Sequence, residues 1–128
     1  MAYGFGSLWI AGRTLERISA VTMRHVSTVK GVDFNPDVAA GLGSVWLADD
    51  TRHEIVRVDP ARGVVARRYE LGGAPFGVAV GAGAAWAASD DGTVARIDPL
   101  RERIEVIEVG GAPRSLDVSG RSVWVSVD

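Results

Sequence analysis

Gly41-Leu42-Gly43-Ser44-Val45-Trp46-Leu47-Ala48 joins a glycine-bracketed turn to an apolar run built around a tryptophan. The same frame occurs three more times. Gly4-Phe5-Gly6-Ser7-Leu8-Trp9-Ile10-Ala11 precedes it. Gly81-Ala82-Gly83-Ala84-Ala85-Trp86-Ala87-Ala88 and Ser119-Gly120-Arg121-Ser122-Val123-Trp124-Val125-Ser126 follow it. The four tryptophans are 37, 40 and 38 residues apart. Two other markers recur in phase with them. Arg57-Val58-Asp59-Pro60 returns as Arg96-Ile97-Asp98-Pro99, and Gly72-Gly73-Ala74-Pro75 returns as Gly110-Gly111-Ala112-Pro113. Three independent markers sharing a period of about 40 residues define an internal repeat.

The segments between turn signals are short and rich in Val, Ile and Trp, as strands are. None sustains a helical period of apolar positions. Four strands and four turns fill one repeat. Labelled A to D, they are Phe76–Val80, Ala84–Ala88, Val94–Asp98 and Ile104–Val109 in one copy. In the copy before they are Asp37–Ala40, Ser44–Ala48, Glu54–Asp59 and Val64–Leu71.

Polarity grades along the unit. Strands A and B are small and nearly uncharged, which suits burial on both faces. Strand D carries Arg67, Arg68 and Glu70 in one copy and Glu105 and Glu108 in the next, which suits an outer edge. A sheet apolar at one edge and charged at the other is a wedge. Wedges pack around an axis with A innermost, so the expected fold is all-β and built of β-propeller blades. Trp9, Trp46, Trp86 and Trp124 are then the blade-packing residues. Burying one removes roughly 150–250 Å² from water. The glycine pairs are expected to supply positive φ at the A–B and D–A turns. Pro60 and Pro99 end strand C, having no N–H for the ladder, while Asp59 and Asp98 bond the amides of the following turn.

Gly43-Ser-Val-Trp-Leu-Ala-Asp49, Val56-Arg-Val-Asp-Pro60 and Gly72-Gly-Ala-Pro-Phe-Gly-Val-Ala-Val80 resemble the bacterial propeller repeats of the virginiamycin B lyase-like and YVTN-type families, themselves similar to NHL repeats. The resemblance covers essentially the whole chain. It implies a propeller used mostly as a binding or scaffolding surface. The lyase activity would require a His/Glu cluster holding a divalent metal on the funnel face. The two histidines, His25 and His53, occupy non-equivalent places, so that activity is not carried over.

The 128 residues are 47% hydrophobic and 23% charged, proportions of a globular domain and not of a disordered or collagen-like chain. A net charge of -2 argues against a nucleic-acid module, which needs clustered positive charge. There is no Cys, which excludes disulfides, thiolate zinc sites and a cysteine nucleophile. Thirteen arginines against the single Lys30, with much Ala, Gly and Val, match the bias of a GC-rich bacterial genome. The start, Met1-Ala2-Tyr3-Gly4, does not read as a signal peptide. Leu71 to Ser89 is 19 residues without a charge, close to the ~20 of a membrane helix. Its five glycines and Pro75 read better as two buried strands, so no membrane partner is expected.

The chain reads as B-C-D from 7 to 30, full blades over 37–71 and 76–109, and A-B over 115–127, or 13 strands. Known propellers typically close with four to eight blades. Three blades would leave wide apolar flanks. The expected partner is a second copy, the favoured assembly being a twofold dimer that makes a six-bladed ring. There the final strand A (Ser115–Val118) of one copy would join B-C-D of the other. The alternative is the remainder of a larger propeller. Met1 opening directly into a blade favours an excised piece, and an engineered segment that assembles without ligand is a further possibility.

The B–C and D–A loops share one face, where a ligand is expected. The candidate ligand-binding residues there are Asp49, Asp50, Arg52, His53, Phe76, Asp90, Asp91 and Arg114. Asp49-Asp50 and Asp90-Asp91 read as equivalent pairs, either a shared cation site or turn chemistry, with turn chemistry favoured. His53 is a candidate base or ligand, or plain surface, and His25 reads as surface. Arg57 and Arg96 read as ion-pair partners of Asp59 and Asp98. Phe76 and Arg114 share the slot after Gly-Gly-Ala-Pro, which Asp33-Phe34-Asn35 fills one copy earlier. No catalytic constellation, metal motif or phosphate loop stands out, and no cofactor is implied. The expected function is a non-catalytic binding or scaffold module. A metal-dependent lyase or hydrolase using the Asp pairs and His53 is the alternative.

Overall fold

A computed structural model describes residues 1–32 and 37–128. Asp33, Phe34 and Asn35 lie outside the described residues. Described strands number 14, all in antiparallel sheets. Blade 1 is β1 (Ala2–Gly4), β2 (Ser7–Ala11), β3 (Leu15–Ser19) and β4 (His25–Val29). Blade 2 is β5 (Asp37–Gly41), β6 (Ser44–Asp49), β7 (Glu54–Asp59) and β8 (Val64–Glu70). Blade 3 is β9 (Pro75–Gly81), β10 (Ala84–Ser89), β11 (Thr93–Asp98) and β12 (Arg103–Glu108). A hairpin of β13 (Pro113–Ser119) and β14 (Ser122–Val127) follows. The uncharged run from Leu71 to Ser89 thus forms β9 and β10.

One count is corrected. The sequence reading starts the chain in Ser7–Ala11, whereas Ala2–Gly4 folds back on it with Ala2 opposite Trp9 and Gly4 opposite Ser7. Three residues carry too little alternation to read as a strand; the Phe5-Gly6 turn supplies the pairing. The inner position of blade 1 is therefore filled by the chain itself. Residues Ser115–Val118 belong to β13, which pairs with β14 of the same chain. The strand exchange drawn for a six-bladed dimer has no vacancy to enter.

Within each blade the strands lie in sequence order. The first strands of consecutive sheets touch: β1 with β5, β5 with β9, β9 with β13. They form the inner tier, and charged β8 and β12 lie at the other edge of their sheets. Strand β6 of blade 2 buries both faces, each against a different neighbour. Val45 and Leu47 join Trp9, Leu15 and Val29 in the core between blades 1 and 2. Trp46 and Ala48 join Val78, Ala85 and Ala87 in the core between blades 2 and 3. A strand with one neighbour on each face reads as a continuous apolar run.

The tight A–B turns differ from expectation in one detail. Both central residues have positive φ, 52° at Leu42 and 72° at Gly43, with matching values at Phe5-Gly6 and Ala82-Gly83. That is the hairpin turn whose twist matches the flanking strands. The first glycine of each frame serves close approach: a Cβ on Gly41, which also has φ 158°, would lie 2.7 Å from Val80 Cγ1 of the next blade. At the D–A crossing, Gly73 is likewise a matter of space, since a Cβ there would lie 2.6 Å from Asp91 Cγ.

Candidate functional site

The candidate residues lie at the ends of β6, β9, β10 and β13, where the chain turns between B and C or crosses from D to A. Asp49 ends β6 and is buried. Its Oδ1 accepts the N–H groups of Thr51 (3.1 Å) and Arg52 (2.9 Å). Its Oδ2 has no hydrogen-bond partner among the described residues, with the Arg52 guanidinium 3.8 Å away. Asp50 is exposed. His53 is exposed at φ 55°, and its carbonyl accepts the Leu71 N–H. A left-handed backbone at a non-glycine residue makes His53 a working part of the turn.

In blade 3, Asp90 Oδ1 accepts the Ala74 N–H at 2.9 Å, and the Asp90 N–H donates to the Ala74 carbonyl. Asp91 Oδ1 accepts both the N–H and the hydroxyl of Thr93. The two Asp90 bonds tie the B–C loop to the D–A loop that leads into the same blade, while the Asp91 bonds stay within the B–C turn. The two Asp pairs are not equivalent. Counting from the tryptophans, Asp49 corresponds to Ser89, so the pairs are one residue out of phase. The reading that matched them is corrected: Asp49 is the last residue of β6, whereas Ser89 ends β10 and both Asp90 and Asp91 follow it. Phe76 is half-buried in β9, and exposed Arg114 occupies the corresponding place in β13. Arg114 Nε bonds Asp128 at 2.5 Å.

The open space lies elsewhere. One groove of about 420 Å³ runs between the outer strands of blades 1 and 2, lined by Thr28, Lys30, Gly31, Gly63, Val64, Val65 and Arg68. A second, of about 380 Å³, is lined by Gly31, Arg52, Glu54 and Arg68. Arg68 divides them. It bonds the nearly buried Glu54 at 2.5 Å and donates to the Gly31 carbonyl, which ties β8 to the chain just after β4. Of the eight candidates, Arg52 alone lines these grooves. Among the described residues, no group of three or more His, Asp or Glu side chains converges as a metal site.

Two residue sets escaped the sequence reading. The first is a repeated joint. Arg17, Arg57 and Arg96 lie opposite Trp9, Trp46 and Trp86 on the adjacent strand. Their guanidinium carbons sit 5.1, 5.4 and 5.7 Å from the indole centroids, within cation–π range. Arg17 and Arg57 also donate Nε–H to buried Ser7 and Ser44, each at 2.8 Å. The expected ion pair of Arg57 with Asp59 is corrected: Arg57 reaches Glu102 of blade 3 instead. Glu102 also takes Arg67 Nε at 2.8 Å and the Tyr69 hydroxyl at 2.9 Å. Burial, reinforced by that carboxylate, raises the Tyr69 pKa. Asp59 and Asp98 bond the amides of their turns, as their position before proline predicts. The Arg101 amide, with that of Leu100, lowers the Asp98 pKa. The signal for the joint was available as Ser-x-Trp followed by an arginine in the next strand.

The second set surrounds Glu16 on blade 1. Thr14, Thr28 (2.5 Å) and His25 Nε2 (2.8 Å) all bond its carboxylate. Those bonds, Thr14's first, lower its pKa from 4.5 to about 2. A lowered carboxylate adds stability that is complete above about pH 4.5 and is lost as pH falls toward 2. Carboxyl NMR titration should therefore place the Glu16 midpoint near 2, and Thr14→Val should move it upward. A wild-type midpoint at 4.5 would contradict the bonding described.

The comparisons with known proteins agree with the sheet order. The chain superposes on part of Kuenenia stuttgartiensis hydrazine synthase with a TM-score of 0.87 at 18% identity, covering 96% of this chain and 39% of that one. It superposes on U3-55K with a TM-score of 0.75 at 18% identity, covering 84% and 36% respectively. For the WD40 domain of Neurospora crassa Pan2 the values are 0.76, 13%, 95% and 39%. The fold is that of β-propeller blades, and the chain spans about two-fifths of the length of these proteins. No family model matches the chain, and no curated protein matches it in sequence.

Proposed function

We propose that this chain is a non-catalytic propeller module whose B–C and D–A loop face binds a peptide, sugar, small ligand or partner protein. The supporting observation is how the chemistry-bearing groups on that face are used. Asp49, Asp90 and Asp91 hold backbone amides, His53 shapes a turn, and Arg68 is locked to Glu54. Groups engaged this way shape a surface. A groove lined by Gly31, Arg52, Glu54 and Arg68, reaching that face at Arg52, offers room for a ligand. The finer likeness to virginiamycin B lyase-like and YVTN-type repeats rests on the Trp, Arg-Val-Asp-Pro and Gly-Gly-Ala-Pro markers. The apolar flanks support assembly with further blades, from a second copy or a larger propeller.

The test is a thermal-shift titration with Mg²⁺, Mn²⁺, Ca²⁺ and Zn²⁺. A ligand bound only by the folded state raises the midpoint in proportion to its occupancy. The expected result is no shift. A saturable rise with one cation, lost in Asp49→Asn, would overturn the non-catalytic reading in favour of a metal enzyme.

A further inference from the structure

The joint between blades 1 and 2 departs from the repeat at three places that meet in one groove. Strand pairing sets the alignment. Val29, Tyr69 and Ile107 lie opposite Leu15, Ile55 and Val94. Those three lie in turn opposite the alanines two residues after Trp9, Trp46 and Trp86. The residue that follows in the outer strand is then Lys30, Glu70 or Glu108, so blade 1 reverses the charge that blades 2 and 3 share. One residue further, Gly31 stands where Leu71 packs against the core between blades 2 and 3. On the facing strand β8, Arg68 holds the place that Val106 holds in β12. Lys30, Gly31 and Arg68 all line the groove of about 420 Å³.

Within the groove the charges do not cancel. Arg68 is neutralised by Glu54 at 2.5 Å and held in place by its bond to the Gly31 carbonyl. The Lys30 ammonium has no hydrogen bond or ion pair among the described residues. The wall from Gly63 to Val65 is apolar: Val64 is 47% exposed, and half-buried Val65 packs against the core. The volume is that of a small-molecule site.

We infer that this groove binds a small aliphatic monocarboxylate, its carboxylate on the Lys30 ammonium and its hydrocarbon body on Val64 and Val65. One uncompensated cation is matched by one negative charge. Exposed valine is covered by an apolar body and not by a hydrated dianion such as phosphate. The inference is independent of what the loop face binds, because Gly63 and Val64 sit at the C–D end of blade 2, away from the B–C and D–A loops.

The test is a titration of the amide NMR spectrum of the full chain with isocaproate, isocaproamide and inorganic phosphate. Isocaproate is expected to shift the Lys30, Gly31, Gly63 and Val64 amides together and to saturate at millimolar concentration. Isocaproamide keeps the body and loses the charge, and should bind about tenfold more weakly. Lys30→Glu, which places the residue of the other blades at an exposed position, should weaken isocaproate binding as much while leaving the rest of the spectrum unchanged. No saturable shift at these amides, equal binding of isocaproamide, equal binding by Lys30→Glu, or a matching response to inorganic phosphate would overturn the inference. Shifts confined to Asp50 and His53 would also overturn it, and would speak for the loop face alone.

Discussion

Trp46→Ala lowers the stability of the chain by about 3–5 kcal/mol, as deletion of a buried aromatic does, measured by urea unfolding. Trp46 is fully buried between blades 2 and 3, among Tyr69, Val78, Ala85 and Ala87. Its indole N–H bonds the Gly41 carbonyl at 3.1 Å, its ring stacks on Tyr69 at 6.0 Å, and Arg57 covers it. Removing it opens a cavity in a joint whose other members cannot collapse without shifting a whole blade. Trp124→Ala should cost far less, since its ring is mostly in water. Equal losses at the two positions would mean that the tryptophans act within their own sheets and not between them.

Gly41→Ala should cost about 1–3 kcal/mol by overpacking. The inner strands approach so closely that an added Cβ meets the next blade: Ala40 Cβ at 2.8 Å from Gly4, Val80 Cγ1 at 2.7 Å from Gly41, Val118 Cγ1 at 2.6 Å from Gly81. Because the collision is with one side chain, Val80→Ala should recover the overpacking part of the loss and leave the part set by the Gly41 backbone at φ 158°. A double-mutant cycle reads this coupling directly. Additive effects would place the cost in the Gly41 backbone and not in the spacing between blades.

The blades were legible because the repeat is written in large residues at fixed phase, and because strand polarity grades from inner to outer edge. Strand ends set by Pro60 and Pro99 fell where an absent N–H requires. Ala2–Gly4 was not legible: a three-residue strand carries no period, and its partner defines it. The functional face was much less legible. Asp49, Asp50, Asp90 and Asp91 look alike in sequence, but an offset of one residue sends Asp49 into the protein and leaves Asp90 on a neighbouring loop. The Trp–Arg joint was missed for a related reason. An arginine two residues before an aspartate suggests an ion pair along one strand, whereas the structure spends it across strands on an indole and a serine.

The central claim is that each tryptophan is buried by the blade that follows it. Acrylamide quenching of variants that keep one tryptophan, the other three changed to Phe, tests this most directly. The structure predicts that Trp9 and Trp46 resist quenching, Trp86 is intermediate, and Trp124 is quenched almost as freely as indole in water. Uniform accessibility across the four would contradict it.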